Sequence, residues 1–388
     1  MKRKVLVAYN YFPHYRLPIL KQLAKDEDIE FVFVSGCETN KNIKLISEQE
    51  FIDHGIRWQR VRNIYCMRRR FLCQPGLIRI CLARDITDVV ILGNPYSLTN
   101  WVLLFLFQFI RKPIYIWGHG IIRDQFRDRL KTLFYRLADG VFLYGNWACA
   151  RLTRLGLDPQ RLHVIYNSLD HQRQVAIRDA LSPERLGQLK AGLFEDPSLP
   201  MVCFIGRFTW IKRLDLLVDA SRLLHERDLP VNLLLIGEGE SHSDLVKQVE
   251  AQRLQRFTRF VAETYDEEQI ASLISLADVC VSPGDVGLTA MHAMVYGVPV
   301  ISHDDPYRQM PEYEAILPGR TGLLFKRGSA QSLADTIAQW LRESQSKRES
   351  VRQACMDVIA QNYTPENQAR IIKQVVLASK ADKDTRYS

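Results

Sequence analysis

The sequence has no apolar run long enough to cross a bilayer. Its longest, WVLLFLFQFI over residues 101–110, is half of the ~20 residues that a helical span requires. It also has no Cys-x-x-Cys pair. The eight cysteines are scattered, which argues against a zinc ribbon and a disulfide scaffold and fits a reducing compartment. The opening stretch MKRKVLVAYNYF holds only about five consecutive apolar residues, too few for the apolar core of a signal peptide. No repeat of solenoid length and no low-complexity segment is visible. No nucleic-acid-binding module accompanies the net charge of +8, so a nucleic-acid partner is not expected. These absences point to a protein that is soluble, or peripheral on a membrane, in the cytoplasm.

What is present is an ordinary globular composition. The 388 residues suffice for about two domains, and 47% are apolar and 25% charged. The charge is lopsided. Residues 1–170 hold 26 Lys and Arg against 15 Asp and Glu, whereas the remainder holds 26 against 29. A basic half suggests an anionic partner such as a membrane surface or a phosphorylated substrate.

Short β-branched runs alternate with longer helical patterns. KVLVAYN, FVFVS, DVVILG, PIYIW, GVFLYG and HVIYN read as buried parallel strands, and the rhythm restarts at MVCFIG (201–206). It continues through VNLLLIG (231–237), FTRFV (257–261), DVCVSP (278–283) and VPVISH (298–303). This order predicts an α/β protein with doubly wound sheets and ligands at the strand C-termini. Between the series, residues 171–199 are polar and mostly helical and read as a linker. The boundaries are therefore 1–170 for a first domain and 200–362 for a second. The simplest architecture is two Rossmann-like domains facing each other across a cleft.

FIGRFTWIKRLDLLVDA (204–220) predicts a strand, a Gly-Arg turn and a helix opening at Lys212. Arg207 and Lys212 can converge on one anion there, aided by the helix N-terminus. One helix later LLLIGEGE (233–240) ends a strand in a turn containing Glu238. These segments resemble, in this order, the retaining glycosyltransferases of family 4 (glycosyl transferases group 1), which have the GT-B fold. The resemblance is dense over residues 199–325, where it includes SLADVCVSP, GLTAMHAMVYGVPVI and PEYEAILPGRTGLLF, and thinner over VFLYGNWACARLTRLGLDPQRLHVIYNSLD (141–170).

The resemblance implies a sugar transfer from a nucleotide diphosphate donor to a hydroxyl, with no cofactor and no metal. The nucleotide sugar is the co-substrate, and no convincing Asp-x-Asp metal box is present. Arg207 and Lys212 would bind the diphosphate. Gly287, Leu288 and Thr289 keep the positions whose backbone amides meet it, and Glu314 keeps an acidic position. The residues from about 363 to 388 would pack back on the first domain. The sequence departs from the family at its Glu-x7-Glu motif. Gly284 stands at the first glutamate, with Asp285 beside it, and His292 stands at the second. His292 is expected to replace the ribose-binding carboxylate, and Asp285 to approach the donor sugar; a histidine satisfied within the core is the other reading of His292.

In the first domain, IYIWGHGII (114–122) places His119 just past a strand end, where the family often has a histidine near donor sugar and acceptor. YNYFPHYRLPIL (9–20) puts Arg16 in the first strand-to-helix loop, where many relatives have Gly-Gly, and Arg16 could meet an anionic donor or acceptor. Arg68, Arg69 and Arg70 interleave with Tyr65, Met67 and Phe71 and are expected to contact an anionic membrane, the apolar run 101–110 packing under the sheet. By analogy the acceptor is a lipid-linked saccharide of a bacterial-type surface-polysaccharide pathway (O-antigen, capsule or lipopolysaccharide), used at the cytoplasmic face of the inner membrane. Two other readings stay open: a GT-B sugar-nucleotide 2-epimerase, which needs no acceptor, and a non-catalytic scaffold subunit.

Overall fold

The apolar runs marked as strands all lie in parallel sheets, because both faces of each sheet are covered and Val, Ile and Leu can follow one another without alternation. A computed structural model describes residues 2–38, 43–68, 70–110, 112–122 and 128–385. The first unit holds β1 (Arg3–Tyr9), β2 (Ile29–Ser35), β3 (Trp58–Arg60), β4 (Ile64–Cys66), β5 (Phe71–Cys73), β6 (Asp88–Leu92), β7 (Ile114–Gly118), β8 (Gly140–Leu143) and β9 (Leu162–Val164). Seven of them form one sheet in the order β3-β2-β1-β6-β7-β8-β9, and β4 and β5 form an antiparallel hairpin. The second unit holds β10 (Met201–Ile205), β11 (Asn232–Ile236), β12 (Thr258–Val261), β13 (Val279–Ser282), β14 (Val300–His303) and β15 (Gly322–Phe325), in the order β12-β11-β10-β13-β14-β15.

The units are Met1–Leu169 with Thr364–Ser388, and Asp170–Tyr363. Counted over them the charge asymmetry sharpens: 31 basic against 17 acidic residues in the first, 21 against 27 in the second. The C-terminal helix Pro365–Thr385 joins the first unit through a polar and an apolar set of contacts. Gln368 is buried, accepts from Ser168 Oγ at 2.8 Å and donates to the Tyr166 carbonyl. Ala369, Ile372 and Val376 join the core of Ile19, Leu20 and Leu23 on one face of the sheet. At the head of β1, Arg3 grips the buried Asp88 with two bonds of 2.8 and 3.0 Å and also donates to the Val376 carbonyl.

One expectation is filled in and two change. Residues 171–199 are mostly helical, as read. They form helices His171–Asp179 and Pro183–Leu193 within the second unit, the latter started by Ser182 accepting from Arg185 N, with Pro183 in its first turn. The helix after the Gly-Arg turn does not open at Lys212. A short 3-10 turn, Trp210–Lys212, comes first, then Arg213 in the left-handed region at φ 51°, then helix Leu214–His225. The run 101–110 does not lie wholly under the sheet. In helix Leu98–Phe107, Leu103, Leu104 and Phe107 are buried, but Leu98, Val102 and Phe105 are exposed. Among the described residues no helix is long and apolar enough to cross a membrane.

Because Ile372 is 1% exposed in the first unit's core, Ile372→Ala should destabilise the protein by about 2–5 kcal/mol. Thermal unfolding followed by circular dichroism checks this, and an unchanged melting temperature would mean that the C-terminal helix does not close this core.

Candidate functional site

At the C-terminal edge of the second sheet, three loops approach one another backbone to backbone. The turn after β10 and the turn after β11 interlock: Gly206 N donates to Ile236 O at 3.0 Å and Phe208 N to Glu238 O at 2.8 Å. A Cβ on Gly237 (φ 143°) would stand 2.0 Å from Gly206 O, so only glycine fits. The loop after β13 is seated in the same way. Gly284 N donates to Lys212 O at 2.8 Å, and a Cβ on Gly284 would stand 1.9 Å from Ile211 O. No side chain of any kind can replace Gly284 without moving that loop.

This seat places Lys212 on Asp285. The ammonium lies 3.0 Å from Asp285 Oδ1 and donates to its carbonyl at 2.5 Å. Both side chains are mostly shielded, at 17% and 11% exposure. Gly287 (φ 53°) follows, and a Cβ there would stand 3.8 Å from Lys212 Nζ. Thr289, at the head of helix Thr289–Val295, is held by its hydroxyl, which donates to Ile205 O at 2.8 Å; Leu288 precedes it, half-buried. Gln309, 2% exposed, fixes the loop from behind by accepting from Val286 N at 2.9 Å and donating to His303 O at 3.0 Å. His303, at the end of β14, is buried, accepts from Asp305 N through Nδ1 at 3.2 Å, and has its basicity lowered by burial and by Arg327. Gln309 and His303 were missed; the only hint was a polar ending on the apolar run VPVISH.

Arg207 is exposed beside these loops. Its charge reaches the Tyr265 hydroxyl, which donates to Glu263 at 2.8 Å. Glu238 is exposed and lies 2.9 Å from His242 Nδ1. Glu314 is half-buried, and burial together with its charge pushes the Tyr313 hydroxyl up to about 12. The neighbouring Glu312, 1% exposed, is the deeper carboxylate.

His292 has a partner that sequence reading did not find. Its Nε2 lies 3.5 Å from Glu267 Oε1. The same oxygen accepts from Tyr296 Oη at 2.6 Å and Gln174 Nε2 at 2.8 Å. Burial alone would raise the Glu267 carboxyl, but His292, through its hydrogen bond and charge, with Tyr296 and Gln174, brings it down to about 2. No local motif marks Glu267, because its partners lie 93 positions before it and 25 and 29 after it.

The first unit gathers a second cluster at the C-terminal ends of β1, β7 and β8. Arg16 is 5% exposed, and its guanidinium lies 4.9 Å from the Tyr144 ring and 5.5 Å from the Trp117 and Tyr15 rings. It also donates to the Tyr144 hydroxyl. His119 meets the same Tyr144 edge-on at 4.8 Å. Two candidates read separately are thus joined by a tyrosine that sequence reading passed over. Arg68 and Arg70 lie exposed in the turn of the β4–β5 hairpin; Arg69 lies outside the described residues. Among the described residues no three His, Cys, Asp or Glu side chains converge as a metal site.

Comparison with known proteins agrees with the motifs. Residues 188–355 match the model of the family described as Glycosyl transferases group 1. Glycogen synthase 2 of Nitrosococcus oceani is 26% identical over 235 residues, which cover 54% of this chain and 47% of the synthase. An uncharacterized 41.2 kDa protein in the cps region of Klebsiella pneumoniae is 24% identical over 249 residues, covering 62% of this chain and 60% of that one. The chain spans between about a quarter and three fifths of the length of such curated relatives. The crystal structure of Anabaena Alr3699/HepE in complex with UDP superposes with a TM-score of 0.74 at 16% identity, covering 97% of this chain and 100% of that one. The fold is GT-B, and the resemblance to the group 1 glycosyltransferases is shown.

The Glu267 geometry gives a signed expectation. A carboxyl lowered to about 2 stabilises the fold above its ordinary value near 4.3, and the contribution fades as pH falls through 2. His292→Glu should place two carboxylates together and lower the melting temperature at pH 7. Adding Glu267→Gln to that variant should restore much of the loss. If His292→Glu melts like the parent at every pH, the pairing carries no stability.

Proposed function

We propose that the protein transfers a sugar from a nucleotide diphosphate sugar to an acceptor hydroxyl, with retention of anomeric configuration. The observation that carries this reading is the shielded Lys212, held by Asp285 beside the side-chain-free Gly287 at a loop seated on its neighbours by backbone contacts. A fixed cation at the C-terminal edge of a parallel sheet suits a diphosphate. It costs no reorganisation when negative charge develops on the leaving group.

In this reading Arg207 and Lys212 neutralise the diphosphate, and the backbone amides of Gly287, Leu288 and Thr289 complete its cradle without a metal ion. His292, oriented by Glu267, hydrogen-bonds the ribose. Asp285 approaches the donor sugar, and Glu238 and Glu314 border the donor. In the first unit, Arg16 and His119 take the acceptor or the transferred sugar. The transferred sugar is a hexose. The setting is a bacterial-type surface-polysaccharide pathway with a lipid-linked saccharide acceptor, at the cytoplasmic face of the inner membrane. The relative from a cps region is in keeping with that setting.

Calorimetric titration and steady-state kinetics test the assignment together. Lys212→Ala and Arg207→Ala should each weaken donor binding by at least about tenfold, the loss of one charge-assisted contact. His119→Ala should cut kcat far more than donor affinity. Donor affinity unchanged in both cation variants would remove the basis for this site.

A further inference from the structure

Helix Leu98–Phe107 carries no charged residue, and its two polar side chains, Thr99 and Asn100, are buried. Its inner face fills the core, yet its outer face carries no charge. Leu98, Val102 and Phe105 are 43, 48 and 49% exposed, and Phe109 just beyond is 87% exposed. The spacing sets them in one stripe along the helix. A surface helix of a water-soluble domain ordinarily turns polar residues outward. A contiguous exposed apolar patch marks an interaction site.

The flanks of the stripe are apolar and basic. At its N-terminal end stands the β4–β5 hairpin, joined by Leu72 N donating to Tyr96 O at 3.0 Å and by the Phe71 and Tyr96 rings at 6.3 Å. The hairpin turn holds Met67, 75% exposed, with Arg68 and Arg70. Met67 and Arg68 adopt φ of 49° and 55°, a region that side-chain-bearing residues enter at a cost. Glycine would be easier there, but it would remove both the apolar tip and a cation. Beside the stripe lies helix Asp128–Arg136, joined through the Trp101 and Phe134 rings at 5.2 Å. It exposes Leu130 and Leu133 at 57 and 42%. The base of the hairpin also walls an open cavity of about 710 Å³ lined by Val61, Ile64 and Ile80, by Arg62 and Arg79, and by the acidic Asp85.

We propose that this face docks on an anionic membrane surface. The outer face of helix Leu98–Phe107 and Phe109 enter the headgroup boundary, and Arg68 and Arg70 pair with lipid phosphates. Charge complementarity selects a lipid over a second copy of the chain. The first unit carries 31 basic against 17 acidic residues, so an anionic surface attracts it and a second first unit repels it. The arginines alone, as the sequence suggested, give the electrostatic part; the exposed stripe supplies the apolar part.

Cosedimentation of the full chain with vesicles tests this apart from any sugar chemistry. Vesicles of equal parts phosphatidylglycerol and phosphatidylcholine should pull down the protein, and pure phosphatidylcholine vesicles far less. Phe105→Ser with Phe109→Ser should lower the partition coefficient at least about a hundredfold. Arg68→Ser with Arg70→Ser should lower it roughly thirtyfold and flatten its salt dependence. Both pairs are exposed, so melting curves should match the parent and exclude misfolding. Equal, negligible binding to both vesicles would overturn the proposal. So would parent-like binding by both variants, or self-association in sedimentation velocity that the phenylalanine variant abolishes.

Discussion

The second unit depends on a close approach of backbones. Gly206, Gly237 and Gly284 let three loops at one sheet edge touch where a Cβ on Gly237 or Gly284 would meet a carbonyl oxygen at 2.0 or 1.9 Å. That contact aligns Lys212 with Asp285 and sets Gly287 in front of the ammonium. Gln309 and Ser302 then tie the loop to β14, Ser302 Oγ donating to Ser282 O at 2.8 Å and Gln309 Nε2 to Ser302 Oγ at 2.7 Å. The result is a cation held in place before any ligand arrives, which is the form of electrostatic preorganisation that phosphate-bearing leaving groups use.

The departure from the family's paired glutamates has a physical account in the fold. Gly284 has no room for a side chain, and Asp285, one residue on, supplies the only carboxylate of that loop. His292 sits against Glu267, which Tyr296 and Gln174 also hold. A glutamate at 292 would face another carboxylate in a shielded site. The histidine is therefore matched to its neighbour as well as to any ligand, and the two readings of it, packed or functional, do not exclude each other.

The strands were legible because each is covered on both faces and reads as a continuous apolar run, as in Val5, Leu6 and Val7, all 1% exposed or less. The short strands β3, β4, β5 and β15 were not, since three or four residues show no period of their own; the three-residue β9 was read only because it overlaps the longer run HVIYN. Lys212 and Arg207 were legible from their spacing at a strand-to-helix turn. Glu267 and Tyr144 were not, because their importance lies in contacts far along the chain, such as Arg16 with Tyr144, 128 residues apart. The outward face of helix Leu98–Phe107 was misjudged for a related reason: its only polar residues, Thr99 and Asn100, lie on the buried side, so polarity does not mark which side is covered.

The central claim is that the second unit binds a nucleotide diphosphate sugar through the fixed Lys212, without metal. Thermal unfolding of the full chain against a panel of nucleotide diphosphate sugars, with a chelator present throughout, tests it most directly. The account predicts that one donor raises the melting temperature with chelator present and that the rise vanishes in Lys212→Ala. A panel with no stabilising donor, or a rise that needs a divalent cation or survives in Lys212→Ala, would contradict it.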